Sequence, residues 1–206
     1  MQQPPIHTLV LVEGESDAAA VRALARRFEL DLERCAVRLG SADGVTNFPR
    51  LLSAFRSAFP AAGFCGLYDA ADERHVRRAL IGANVPIRDG ESPEHFGFFA
   101  CRADLEEELI RALGAEGVER VIEAEGELPS LRRFQAMPQH RHSSLPQQLH
   151  RFLGTRATRK IRSARRLVEA LDAAHLPPPL ASIAARLLEA APPAGVLAAS
   201  LPAVQR

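Results

Sequence analysis

The first 113 residues repeat one pattern: a short apolar run, an acid- or glycine-bearing turn, then an amphipathic stretch. Strands are expected over Ile6–Val12, Cys35–Leu39, Gly63–Tyr68 and Phe96–Cys101, each a brief apolar run closed by turn residues. Between and after them the spacing predicts helices over Asp17–Phe28 (capped by Ser16), Phe48–Phe59, Asp72–Ile81 and Asp104–Leu113, the last stopped by Gly114. In the first of these Val21, Leu24, Ala25 and Phe28 share one face. Strand–helix alternation requires right-handed crossovers, so the expected fold is α/β, a mainly parallel four-stranded sheet flanked by helices.

After Gly114 the strand signals stop. Helical patterns at 116–125, 145–153, 158–172 and 180–190, broken by Pro138, Pro146 and Pro177–Pro179, predict a C-terminal helical extension. The chain is therefore read as an α/β domain over 1–114 and a basic helical extension over 115–206 packing on it. Its last stretch, APPAGVLAASLPAVQR, is expected to be ordered only in part.

A net charge of +1 conceals a strong asymmetry. Residues 1–127 hold 14 Arg against 22 acids, whereas residues 128–168 hold nine Arg, Lys160 and no acid. Two readings follow: a polyanionic partner, or a basic segment lying on the acidic surface of its own chain, such as 116–127. Cys35, Cys65 and Cys101 are widely spaced, odd in number and form no CxxC pair, which points to reduced thiols, a cytoplasmic setting and no zinc site. The opening residues lack both a basic leader and an apolar span, so neither export nor membrane insertion is expected.

Ligands of parallel sheets gather at the carboxyl ends of the strands. Three of the four predicted strands end in acids: Glu13 (LVEGESD), Asp69 (GLYDAADE) and Asp104 with Glu106–Glu108 (CRADLEEEL). Neighbouring strands lie about 4.8 Å apart, so such carboxylates can share a hard cation, Mg²⁺ or Mn²⁺ rather than zinc. Asp17, Asp72, Asp104 and Glu106 also fall in first turns of helices, where negative charge is favoured without any ligand. Glu13 and Asp69 directly follow strands, and are the sharper metal candidates.

In a chain with 25 Arg, the single Lys, Lys160 in GTRATRKIRSARR, stands out. A lysine is a compact charge that can stabilise a phosphoryl transition state or give up a proton. Around it Arg156, Arg159, Arg162, Arg165 and Arg166 are candidate phosphate contacts. The competing reading is a solvated helix face. Gly14–Ala18 loosely echoes a nucleophile elbow around Ser16, but no oxyanion motif accompanies it. No GxxxxGK[ST] is present.

LVEGESD, with Glu13 and Asp17, resembles the first motif of Toprim domains, and GLYDAADE resembles the second. DLEEEL resembles the acidic motif of Toprim domains in the OLD (overcoming lysogenization defect) nuclease family, and GTRATRK sits where that family has a lysine. The resemblance covers about residues 6–170. It implies a Toprim-like fold and metal-dependent DNA cleavage, with Glu13, Asp17, Asp69 and the Asp104–Glu107 group as ligands and Lys160 assisting. The second motif departs from the family: Asp69-Ala70-Ala71-Asp72 replaces Asp-x-Asp, which puts one ligand in question and leaves Asp72 to compensate. The ATPase domain usual in OLD proteins is missing from these 206 residues, so a stand-alone form with a separate ATPase subunit is expected. Two functions follow: a metal-dependent nuclease acting on nucleic acid, DNA ahead of RNA, or a catalytically degenerate module that binds nucleic acid or an ATPase.

Overall fold

A computed structural model describes residues 6–191. Its strands are β1 (Thr8–Val12), β2 (Val37–Ser41), β3 (Gly63–Asp69) and β4 (Phe98–Cys101), and its helices are α1 (Glu15–Arg27), α2 (Phe48–Ala58), α3 (Glu73–Gly82), α4 (Leu105–Ala124), α5 (Leu128–Ala136), α6 (Leu145–Leu153), α7 (Ala157–Ala170) and α8 (Pro178–Ala190). The sheet order is β2-β1-β3-β4, and every pairing is parallel. This is the expected architecture.

Alternation along the strands makes the two cores. Val10 and Val12 of β1, with Cys65 and Leu67 of β3, face a core built with α1, α4, α6, α7 and α8. Leu9 and Leu11 face the other way, onto Phe48, Leu52, Val76, Leu80 and Phe98 beside α2 and α3. Each fully buried Leu or Phe contributes roughly 2 kcal/mol, so a sheet covered on both faces is strongly favoured over one left half wet. Gly66 makes the centre of the sheet possible. A Cβ there would lie 2.3 Å from the Leu11 carbonyl oxygen and 2.7 Å from the Phe98 ring.

Several boundaries differ from expectation, for local reasons. The helix expected to begin at Asp17 starts at Glu15, with Gly14 rather than Ser16 at its N-cap. Ser16 is instead buried in the first turn. The second strand begins two residues late, because the turn at 32–36 holds Cys35 and places Ala36 at φ 54°. A 3₁₀ turn over Pro93–Phe96 takes the start of the fourth. Gly114 (φ 68°, ψ 161°) is non-helical, so the run Leu105–Ala124 is two helices meeting at a kink there, which matches the expected stop at Gly114 and the helical pattern expected from 116. Helix α5 was not expected; Pro129 lies in its first turn, where proline is tolerated. The C-terminal stretch expected to be partly ordered lies, beyond Ala191, outside the described residues. Among the described residues no helix is long and apolar enough to cross a membrane.

Candidate metal centre

The sheet topology puts the acids together. Strands β1, β3 and β4 are successive neighbours, and Glu13, Asp69 and Asp104 stand at or just beyond their carboxyl ends. The Asp69 N–H donates to Glu13 Oε1 at 3.1 Å, locking the two strand ends to each other. Glu13, Asp69 and Asp72 each offer a carboxylate oxygen within 4.8 Å of the others. Asp72 reaches this group because residues 70–72 form a 3₁₀ turn, whose side chains eclipse every third residue.

A cleft of about 210 Å³ opens beside this group, lined among others by Glu13, Asp17, Asp69, Asp104, Glu106 and Lys160. Asp17 enters it from the first turn of α1, where its Oδ2 accepts the Gly14 N–H at 3.0 Å. Gly14, Ser16 and Gly44 complete the wall. Five expected carboxylates and the lysine thus meet in one cleft, with Asp72 at its edge in the Glu13–Asp69 cluster.

The four acids of the DLEEEL segment divide by helical geometry. Asp104 is the N-cap of α4: its Oδ1 accepts the Glu107 N–H at 2.8 Å, and its Oδ2 lies 2.6 Å from His150 Nε2. Glu106 is 2% exposed and turns into the cleft. Glu107 faces solvent and Glu108 is buried, accepting the Arg102 N–H at 3.0 Å and pairing with Arg111. Lys160 Nζ, from α7, stands 3.4 Å from Glu106 Oε2. That contact is an ion pair outside hydrogen-bond geometry, and neither Glu106 oxygen meets a hydrogen-bond donor in good geometry.

Burial, and after it the crowding of like charge, works against ionisation of most of the cleft carboxyls. Burial, then the neighbouring Glu106, push Asp17 up to about 7. Burial, then Glu13 and Asp104, push Asp69 up to about 7. Burial likewise raises Glu13 and Glu106. Burial works against the charge of Asp104 too, but the His150 ring and the Glu107 N–H outweigh it and hold this carboxyl below the usual range. Burial also works against the Lys160 ammonium, and Glu106 and Asp17 overcome it, so the lysine stays charged.

These residues fit a hard divalent cation. The clustered group of Glu13, Asp69 and Asp72 offers carboxylate oxygens, the donors that suit such an ion. Unsatisfied buried oxygens on Glu106 and carboxyls pushed toward neutrality point the same way, to more positive charge than the single Lys160 ammonium supplies.

The expected phosphate-binding arginines are arranged differently. Arg159 pairs with Glu127 at 2.5 Å, Arg162 with Glu125 at 3.0 Å and also with Glu127, and Arg166 with Glu125 at 2.7 Å. Arg165 lies 3.7 Å from Glu169. Three of the five therefore lie on the acidic turn between α4 and α5, one of the two readings the charge pattern allowed. Arg156 is exposed. Nothing local in the sequence signals His150 as the partner of Asp104, 46 residues away.

A protein-family model described as Overcoming lysogenization defect protein-like, TOPRIM domain, matches residues 7–60. That N-terminal segment is similar to an OLD-like Toprim domain. The C-terminal region of the Burkholderia pseudomallei OLD protein superposes with a TM-score of 0.64 at 20% identity, covering 90% of this chain and 98% of that one. The corresponding region of the Xanthomonas campestris pv. campestris OLD protein gives 0.63 at 22% identity, covering 89% and 94%. At such identities the likeness establishes the fold, which extends well past residue 60. No curated protein sequence matches the chain. The matched segment holds Glu13 and Asp17, and the cleft's other charged residues, Asp69, Asp104, Glu106 and Lys160, lie beyond it.

Proposed function

We propose that the chain is a metal-dependent nuclease module that cleaves nucleic-acid phosphodiesters, DNA ahead of RNA, with Mg²⁺ or Mn²⁺ as cofactor. The observation that carries this reading is Glu106, a buried carboxylate with unsatisfied oxygens, turned toward a charged lysine in a cleft of further carboxylates. Unpaired buried charge is costly, and a structural ion pair would have its remaining lone pairs satisfied.

Glu13, Asp69 and Asp72 would hold the cation on one side, and Asp17 and Glu106 on the other. When bound, the ion supplies Lewis acidity and a water of lowered pKa. Lys160 stabilises the negative charge that builds on the phosphoryl oxygens, a role suited to an ammonium held in its charged form. Asp104 lines the cleft with both oxygens engaged, adding charge while anchoring the start of α4.

Asp72 favours this reading over that of a degenerate module, since it joins the cluster despite the altered motif. The two structural neighbours are C-terminal regions of longer proteins, which keeps an ATPase, fused or separate, within the proposal. Purified protein with Mn²⁺ should nick supercoiled plasmid, and Glu13→Ala and Lys160→Ala should abolish nicking. Calorimetry should show Mn²⁺ binding lost in Glu13→Ala and kept in Lys160→Ala. DNA and RNA both left intact under Mn²⁺ would defeat the nuclease reading.

A further inference from the structure

The acid-free segment 128–168 does not present a uniform basic surface. Arg132 pairs with Glu119 at 2.7 Å, and the α7 row of Arg159, Arg162, Arg165 and Arg166 is engaged by Glu125, Glu127 and Glu169. Four exposed arginines remain, Arg133, Arg141, Arg151 and Arg156, and among the described residues none of them meets a carboxylate. Arg133 donates to Ser130 Oγ at 3.1 Å, Arg141 to the Ala136 carbonyl at 3.0 Å and Arg151 to Ser143 Oγ at 3.1 Å. These neutral acceptors orient the guanidinium groups and leave their charge uncompensated.

Two of the four are next in the chain to, or one helical turn away from, residues in or touching the carboxylate cleft. Arg151 follows His150, whose ring holds Asp104 at 2.6 Å. Arg156 is the N-cap of α7, and its carbonyl accepts the Lys160 N–H at 2.9 Å, so it stands one helical turn from the lysine. From His150 a groove of about 270 Å³ opens between α4 and α6, with Ile110 and Pro146 as its apolar part and Glu107, Gln147 and Arg151 as its polar part. The cleft and the groove meet at the Asp104–His150 contact.

We propose that nucleic acid leaves the carboxylate cleft along the α4–α6 groove, its backbone phosphates held by Arg151 and Arg156, and that the α7 arginine row is a structural strap. The inference rests on the nuclease reading above and adds the path taken by the substrate. Arginines already neutralised by Glu125 and Glu127 offer little net field to a polyanion; uncompensated ones offer counterion release. An apolar floor with an amide and a guanidinium on its wall suits a sugar and base edge, while phosphate contacts fix the register.

The test is binding without turnover: fluorescence anisotropy of labelled duplex and single-stranded DNA in EDTA, over a salt titration, with thermal melting of each variant. Arg151→Glu with Arg156→Glu should weaken binding about tenfold or more and flatten the salt slope by about 2, with an unchanged melt. The milder Arg151→Gln with Arg156→Gln should give a smaller loss in the same direction, which guards against a folding defect in the first pair. Arg162→Gln with Arg166→Gln should bind within about twofold of wild type and melt at a lower temperature. The path is overturned if wild type binds but the 151/156 variants bind equally well, or if the 162/166 pair loses as much affinity as they do; either result leaves the nuclease reading standing. A wild-type chain that binds neither DNA in EDTA overturns the path, whereas the nuclease reading is decided separately by the Mn²⁺ nicking assay.

Discussion

Asp72 stands one 3₁₀ turn beyond Asp69, and their carboxylates come within 4.8 Å of each other and of Glu13. The extra alanine in the Asp69-Ala70-Ala71-Asp72 segment therefore does not send the second acid away. In an extended turn, Asp-x-Asp places both acids on one side through the two-residue period; in a 3₁₀ turn the three-residue spacing achieves the same. Asp72→Ala should weaken Mn²⁺ binding by at least about tenfold, a loss of roughly 1.4 kcal/mol or more. Ala71→Asp should give no gain in cleavage, because residue 71 lies on the exposed side of the turn. A strong gain from Ala71→Asp would show instead that the native spacing is a defect.

The Lys160–Glu106 pair separates stability from chemistry. Removing the ammonium leaves a buried carboxylate without its cation, and since Lys160 is part exposed the loss is about 1–2 kcal/mol rather than the full cost of a buried pair. Lys160→Ala should melt lower than wild type in EDTA. Adding Glu106→Gln should recover most of that loss while cleavage stays absent. If the double variant is no more stable than Lys160→Ala, the two groups are not coupled.

The metal-free protein should lose stability as pH rises. Asp17 and Asp69 are raised to about 7 from an ordinary value near 4, so between these limits the folded chain binds more protons than the unfolded one. Stability is then full below about pH 4, falls through the window and levels off above about 7. In EDTA the melting temperature should drop from pH 5 to pH 8, and the stabilisation given by added Mn²⁺ should be larger at pH 8. Equal Mn²⁺ shifts at the two pH values would contradict the crowding of the cleft.

Relief of like charge also predicts a trade between stability and function. Asp17→Asn removes a carboxylate that burial and Glu106 both oppose, and should raise the melting temperature in EDTA by an amount equivalent to a few kcal/mol at pH 8. The same change should lower cleavage by about a hundredfold or more. A variant both less stable in EDTA and fully active would mean that Asp17 serves the fold alone.

The alternation of apolar runs and amphipathic stretches was enough to predict the parallel sheet, because a strand buried on both faces must be apolar throughout and its connections must be helices. The strand-end acids were equally legible, since a carboxylate directly after Val12 or within LYD has little reason to be there unless the sheet's carboxyl edge is a site. Ser16 was misjudged as a cap: an N-cap is chosen by backbone geometry, and Gly14 takes the extended conformation that ends β1 and starts α1. The stop at Gly114 was legible too, because glycine takes positive φ without strain and so ends helices, and its backbone here is non-helical between two helical segments.

What sequence alone decided here is the set of charges and their spacing along the chain: acids at strand ends, one lysine among arginines, and a basic stretch with no acid. Tertiary structure decided which charges meet. The partners of Asp104, Glu106, Arg159 and Arg162 lie 46, 54, 32 and 37 residues away, in His150, Lys160, Glu127 and Glu125. Coulomb interactions depend on distance through space and on local dielectric, and neither exists until α4, α6 and α7 have packed.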